Sequence, residues 1–408
     1  MKTESCMIAI PKCKEDLKDI EGIMNRISSD SEIKLLAQEY DEGMKLTLEV
    51  NEAEYTVLMA PVDIELSQMY RIQHFFPDID IDTVQKAGYG LEVDMEFGED
   101  SLASYHTQLK IVTALMPDAV AILDASSEKI LSGKWAKLAA ESKVPPAPRY
   151  IYTVQAVSDE EDRVWLHSHG LNRCGIPELE ILNSTKDTYQ SHYNIIETMA
   201  GRLFELEEPL EMGEPFYLAR VTEEIPMFTT IVPWQEAVEH YPEDMLGGKL
   251  DREKSHNEDT CGIFVYASPE DLENRKYSPV SVFDEFLQDN PMYMISNKET
   301  DRMRNLAAER MNYMLDAAKN EENVIILKIG LEMDEEFRED DTELEHIWFE
   351  LLEVKDGKVR CKLTQEPYFV KNMHEGSEGI YTLDKITDWL IYTKERRISP
   401  DDVYLMNL

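Results

Sequence analysis

Three prolines fall within six residues in the stretch Val144-Pro-Pro-Ala-Pro-Arg149. Each proline fixes its own φ, lacks a backbone N–H and pushes the preceding residue out of the helical region. Neither a helix nor the middle of a sheet can run through such a stretch, so the chain must build separate units on either side of it. With 408 residues, and roughly 150 residues per domain as a guide, there is room for two to three units. The expected division is an α+β domain over 1–143, a middle α+β domain over 149–270, and a third over 280–408 with a β-hairpin core. The fold class is α+β and multidomain, with mixed or antiparallel sheets and packed helices.

Hydrophobic periodicity supplies the elements. Leu17, Ile20, Ile23, Met24 and Ile27 recur at helical spacing over 15–27. Strands are expected over 7–10, 32–40, 44–50, 55–60, 89–97 and 119–123, with hairpin turns at Asp41-Glu-Gly and Val50-Asn-Glu-Ala. Helices are expected over 66–76, 101–115 and 130–140. Beyond the prolines, strands over 150–157 and 164–169 precede a helix over 187–206 and strands over 216–222, 227–232 and 261–267. The polar stretch 241–260, with Gly247-Gly248, reads as a long loop. In the last unit a single helix over 300–319 leads to a buried strand over 324–329 and an acidic loop over 332–341. A hairpin across Lys355-Asp-Gly follows, then one more strand within 379–392. Trp348 and Trp389 fall on these last strands, where core packing is their expected role.

The middle unit carries the most unusual run, Val164-Trp-Leu-His-Ser-His-Gly-Leu-Asn-Arg-Cys-Gly-Ile-Pro-Glu-Leu-Glu-Ile-Leu182. His167 and His169 stand two apart on a strand and so face one side, where Cys174 could return from the loop to share an ion. A fourth ligand would have to come from Glu178, Glu180 or Cys261. Cys174 could also act as a nucleophile, with Arg173 and the histidines favouring its thiolate. Against both readings stands plain packing: two strand histidines, a small core cysteine, and Gly170 and Gly175 as turn positions. No second Cys/His pair sits at ligand spacing, and nothing local orients a catalytic base. We therefore assign no metal, no cofactor and no catalytic residue, and keep His167, His169, Cys174 and Glu178 as binding candidates.

Charge excludes more than it assigns. Lys and Arg number 41 against 82 Asp and Glu, a net −41. A field of that sign repels nucleic-acid backbones and anionic membranes and favours a basic protein partner, while also serving solubility. Five cysteines, Cys6, Cys13, Cys174, Cys261 and Cys361, form no CxxC pair and are odd in number, which predicts free thiols in a reducing compartment. The apolar run before Lys12 is too short for a signal peptide, and no run reaches membrane-spanning length, so the expected location is the cytoplasm. Phosphate-binding, dinucleotide, nucleophile-elbow and zinc-protease motifs are absent. The acidic stretch 334–341 lacks the central glycine and ligand spacing of an EF-hand.

The last unit, from about 290 to 391, resembles a family of bacterial domains of unknown function. The resemblance rests on Leu306-Ala-Ala-Glu-Arg, Val324-Ile-Ile-Leu-Lys328, Glu345-His-Ile-Trp348, the hairpin at Gly357 and Ile386-Thr-Asp-Trp389. The region before it resembles a companion uncharacterised bacterial family, with a His-x-His-Gly string and a Gly-x-Pro-Glu-Leu-Glu string like those within 167–180. Related small domains occur among immunity proteins of bacterial toxin systems, and the resemblance implies no residue roles. The expectation is a non-enzymatic interaction module, immunity-like, that binds a basic partner. Its rival is an enzyme or metal-dependent module centred on 167–180, which requires His167, His169, Cys174 and Glu178 to converge in one pocket.

Overall fold

The computed structural model describes residues 3–40, 43–67, 70, 76–221, 225–252, 259–287, 297–338 and 344–406. They form three sheets with helices interspersed, an α+β fold in which neighbouring strands are mostly antiparallel.

The first sheet contains β1 (Ser5–Ile10), β2 (Ile33–Tyr40), β3 (Met44–Val50), β4 (Ala53–Asp63), β5 (Tyr89–Met95), β6 (Ala121–Asp124) and β7 (Lys129–Ser132). They lie in the order β2-β3-β4-β5-β1-β6-β7, every pair antiparallel. The hairpin expected at Val50-Asn-Glu-Ala is present: Val50 pairs with Ala53, and Asn51 and Glu52 take φ of 50° and 66°. Two positive φ values give the mirror-image turn that matches strand twist. The turn expected at Asp41-Glu-Gly and most of the helix expected over 66–76 lie outside the described residues. The helix expected over 130–140 begins later, because Lys129–Ser132 pairs with β6 as β7 before the chain turns into a helix. Sequence spacing there fits both structures, and the waiting sheet edge decides.

Among the described residues, four helices accompany this sheet: α1 (Ile20–Ser29), α2 (Ile81–Ala87), α3 (Ser101–Leu115) and α4 (Gly133–Glu141). Asp100 starts α3 by accepting from the Ala103 N–H, a side-chain cap that satisfies an otherwise orphaned donor. Polar Ser104, His106, Thr107 and Gln108 are as buried on α3 as Leu109 and Val112. A helix buried along most of its length needs partners for such groups. Gln108 Nε2 donates to the Ser5 and Val93 carbonyls at 2.8 and 3.1 Å. Tyr105 Oη donates to the Tyr150 carbonyl at 3.0 Å, just past the prolines.

The second sheet runs β11 (Phe216–Arg220), β12 (Pro226–Pro233), β13 (Thr260–Tyr266), β10 (Glu178–Thr185), β9 (Arg163–His169), β8 (Thr153–Ser158), with β14 (Ser278–Pro279) against β13. Its β10–β13 pair is parallel. One face packs Leu166, Leu179, Ile181 and Ile263 against Ile195, Ile196 and Met199 of α5 (Tyr189–Leu203). The other gathers Trp165, Leu182, Val232, Met245 and Phe264. Three short helices, α6 (Trp234–Ala237), α7 (Pro269–Glu273) and α8 (Asp284–Leu287), flank it. Both sheets belong to one compact unit, 1–141 with 145–296.

The other unit, 297–408 with 142–144, has an antiparallel sheet ordered β18 (Glu378–Thr382), β17 (Lys358–Leu363), β16 (Leu344–Lys355), β15 (Val324–Glu332), β19 (Ile386–Tyr392), β20 (Arg397–Ile398). The single helix expected over 300–319 is two, α9 (Asn297–Glu309) and α10 (Met311–Ala317). Arg310 breaks it, with φ −97° and ψ 14°, and sends its guanidinium to the Pro400 carbonyl at 2.6 Å. The strand expected through Asp388-Trp389 within 379–392 is β19, paired with β15, and a further strand, β18, precedes it against β17. The residues that carried the resemblance hold this unit together. Glu345 accepts from the Tyr368 and Phe369 N–H groups, and buried Trp389 donates from Nε1 to the Ala307 carbonyl at 3.0 Å. Trp348 is only half-buried, with the Lys328 ammonium 5.6 Å from its ring.

Candidate functional site

β9 carries Trp165, His167 and His169 on one face, as period-two geometry requires. The rings of His167 and His169 meet edge-on at 4.9 Å, and Trp165 lies 4.2 Å from His167. His167 is buried and His169 half-buried. After His169 the chain reverses at Gly170, whose φ is +106°. A Cβ there would come within 2.8 Å of the Ile151 carbonyl and 2.9 Å of Ser127 Cβ, so only glycine fits.

Glu178, at the start of β10, secures that reversal. Its carboxylate accepts from the Gly170 N–H at 2.8 Å, the Asn172 N–H at 3.1 Å and Ser168 Oγ at 2.5 Å. Three donors on one buried acid make a clamp of charge-assisted hydrogen bonds. Cys174 is buried on the one-turn 3₁₀ segment Asn172–Cys174, with its carbonyl accepting from Ser101 Oγ of α3 at 3.3 Å.

Arg173, the cation expected to favour a Cys174 thiolate, is committed elsewhere. Nη1 and Nη2 meet the two oxygens of Asp124 at 2.8 and 2.7 Å, and Nη1 also donates to Ser5 Oγ at 2.8 Å. Nη2 further donates to the Ile151 carbonyl. Phe97 and Tyr105 place their rings 5.5 and 5.2 Å from the guanidinium. Both charges of the pair are fully buried. The motif turn is thereby bolted into the first sheet.

The structure thus brings His167 and His169 together and places Glu178 on the backbone of the turn. Among the described residues, no three of His167, His169, Cys174 and Glu178 offer ligand atoms within 4.8 Å of one another. The trio that does so is Cys6, Glu92 and Asp94, on β1 and β5. Burial, with Asp94 and Glu92 alongside, pushes the Cys6 thiol far up; it donates to Glu92 at 3.8 Å. A cleft of about 510 Å³ lies instead by Arg26, Lys110 and Lys137 of the first sheet's helices and Glu32 of the segment before β2.

Sequence reading missed Ser184, His192 and Asp284. His192 Nδ1 lies 2.8 Å from Ser184 Oγ and Nε2 lies 2.8 Å from Asp284 Oδ1. The composition is that of a hydrolase triad, but the serine and histidine are each 1% exposed, and the acid is only a quarter exposed. A substrate would need to reach the serine, so the relay serves as a fastening between β10, α5 and α8. The acid sits 92 residues beyond the histidine, and no local spacing announces it. Lys129 was missed as well. Fully buried, it donates to the carbonyls of Arg149, Tyr150 and Tyr152 at 2.8, 3.3 and 2.5 Å. Burial pushes its ammonium down to about 7, against the pull of Asp124 and Glu197.

Fold and motif together define a multidomain α+β protein whose conspicuous histidine–glycine turn is tied into its own framework. Family models then place its parts. Residues 5–146 match "Protein of unknown function (DUF4026) N-terminal", residues 154–264 match "Protein of unknown function (DUF4026) C-terminal", and residues 301–402 match "Uncharacterized protein conserved in bacteria (DUF2314)". The chain is assembled from uncharacterised bacterial domains. No curated protein and no solved structure matches it. No described helix is long and apolar enough to cross a membrane.

Proposed function

We propose that this chain is a non-enzymatic, cytoplasmic protein-interaction module, of the immunity-like, toxin-neutralising kind, that binds a basic protein. The observation that carries the reading is where the charge resides. Among the described residues, the buried charged groups are five acids (Asp124, Glu178, Glu180, Glu345, Asp388) and four bases (Lys129, Arg173, Arg252, Arg310). The interior nearly cancels, so the surplus behind the net −41 lies outside it. A surface of that sign steers a cationic protein toward it and discriminates against anionic ones.

The motif supports the reading from the other side, since Glu178 and Arg173 are engaged in holding the fold. The test is recovery of partners from a bacterial lysate on the immobilised full chain, at about 50 and about 500 mM salt. The expected result is one basic protein held in a defined ratio at low salt and released at high salt. Partners that are neutral or acidic, or a bound protein indifferent to salt, would sink the reading.

A further inference from the structure

Glu180, on β10, is completely buried. Its Oε2 accepts from Trp165 Nε1 at 3.1 Å and from Arg252 Nη2, while Oε1 is buried with no hydrogen-bond partner. Arg252 donates from Nε to the Gly247 carbonyl at 2.8 Å. Its guanidinium stands 5.3 Å from the Trp165 ring and 4.8 Å from the Trp234 ring. A buried carboxylate, a fixed carbonyl and two indole rings are the groups that recognise a flat, weakly hydrated cation; a compact ammonium suits them less.

The residue filling this enclosure rides on a surface turn. Lys249, Leu250 and Asp251 are exposed, Leu250 to 76%, and only Arg252 plunges inward. Two polar bonds of the turn are local: Gly247 N–H to Asp251 Oδ2 at 2.8 Å and Asp251 N–H to the Gly248 carbonyl at 3.1 Å. Gly247, at φ +80°, lies flat on Trp165, where a Cβ would come within 2.6 Å of the ring. Exposed Glu243, Asp244 and Asp251 surround the turn. An incoming arginine could use both Glu180 oxygens, one of which the resident side chain leaves unused.

We propose that Trp165, Trp234, Glu180 and the Gly247 carbonyl form an arginine-binding cage, filled in cis by Arg252 and taken over by an arginine side chain of a basic partner on docking. This inference rests on the reading of the chain as a binder of basic proteins and gives that reading a site. The probes are arginine amide, lysine amide and a short arginine peptide, with tryptophan fluorescence and thermal melting of the full chain as readouts. Folded Arg252→Ala protein should bind arginine amide saturably, and more tightly than lysine amide by about tenfold, a difference of about 1.4 kcal/mol. The wild type should give the same fluorescence change with the arginine peptide, at higher concentration because the resident side chain competes.

If Arg252→Ala fails to fold, Arg252→Lys keeps the charge without the planar fork and should bind arginine amide more tightly than the wild type does. Loss of arginine selectivity in the folded variant overturns the cage. A wild type that never responds to the peptide, beside a variant that binds arginine amide, makes Arg252 a fixed clasp and overturns the docking. Arginine amide binding without any basic partner in the lysate experiment defeats the functional reading alone. A basic partner held without arginine selectivity defeats the cage alone.

Discussion

Arg173 and Asp124 face each other through two parallel hydrogen bonds, at 2.8 and 2.7 Å, with neither side chain reaching solvent. The arginine belongs to the turn after β9 and the aspartate ends β6, so one ion pair joins the first two sheets. Removing one partner strands a buried charge, whereas removing both does not. Arg173→Met should cost about 3–5 kcal/mol. The double change Arg173→Met with Asp124→Asn should recover a large part of that loss. Urea unfolding of the two variants checks this, and a double variant no better than the single one contradicts it.

Glu178 should matter to the turn more than to any chemistry. Glu178→Ala leaves the Gly170 and Asn172 N–H groups and Ser168 Oγ without their acceptor, at a cost of about 1–3 kcal/mol. Amide exchange at Gly170 and Asn172 should accelerate more than in the β9 interior. Uniform exchange across the strand would argue against a local clamp.

His167 and His169 meet in an edge-on ring contact, and among the described residues no ligand trio that includes them lies within 4.8 Å. Elemental mass spectrometry of untagged wild type and of His169→Ala should therefore find no stoichiometric zinc or iron in either. One equivalent in the wild type, lost in the variant, would restore the metal-dependent reading.

Lys129 should leave a signature on the alkaline side. Its folded pKa, pushed down to about 7 by burial, lies below the ordinary lysine value, so the unfolded chain holds the proton more tightly between the two. Stability from this group should rise with pH from about 7 upward, by at most ~1.4 kcal/mol per pH unit. Lys129→Met, less stable overall because three carbonyls lose their donor, should lack that rise. Parallel wild-type and variant profiles from pH 6 to 9 would refute it.

Asp388 titrates in the opposite sense. Burial raises its carboxyl to about 6, although the Trp389 N–H donates to it. For an acid raised in the fold, the stabilising contribution is complete below the unfolded pKa and is lost as pH climbs through 6. Asp388→Asn keeps an acceptor without the charge and should be more stable at neutral pH by on the order of 1–3 kcal/mol, with the gap closing below about pH 4. Thermal melts across that range decide it.

Strands were legible from the chain, β5 by its period of two and β15 by its short apolar run, because both signals survive tertiary context. Helix limits were less so. The break at Arg310 comes from a guanidinium drawn to Pro400, ninety residues on, and β7 exists because β6 offers it an edge. The histidine–glycine run stood out by composition, and its turn glycine was expected as such. Its bonding was hidden, since Asp124, Ser5 and Ser101 all lie far earlier in the chain. The Ser184–His192–Asp284 relay and the Arg252 enclosure were illegible for the same reason. Long-range polar partners leave no period in a sequence.

The largely buried helix α3 and the Arg173–Asp124 bolt carry an evolutionary consequence. A gene recombined at the three prolines would separate Tyr105 from the Tyr150 carbonyl and Arg173 from its aspartate, leaving half-satisfied networks on both fragments. The first two sheets are therefore bound to be inherited as a pair. An exchange point near residue 297 would cut none of those bonds, though it would part Lys143 from Glu309, its acceptor in the last unit.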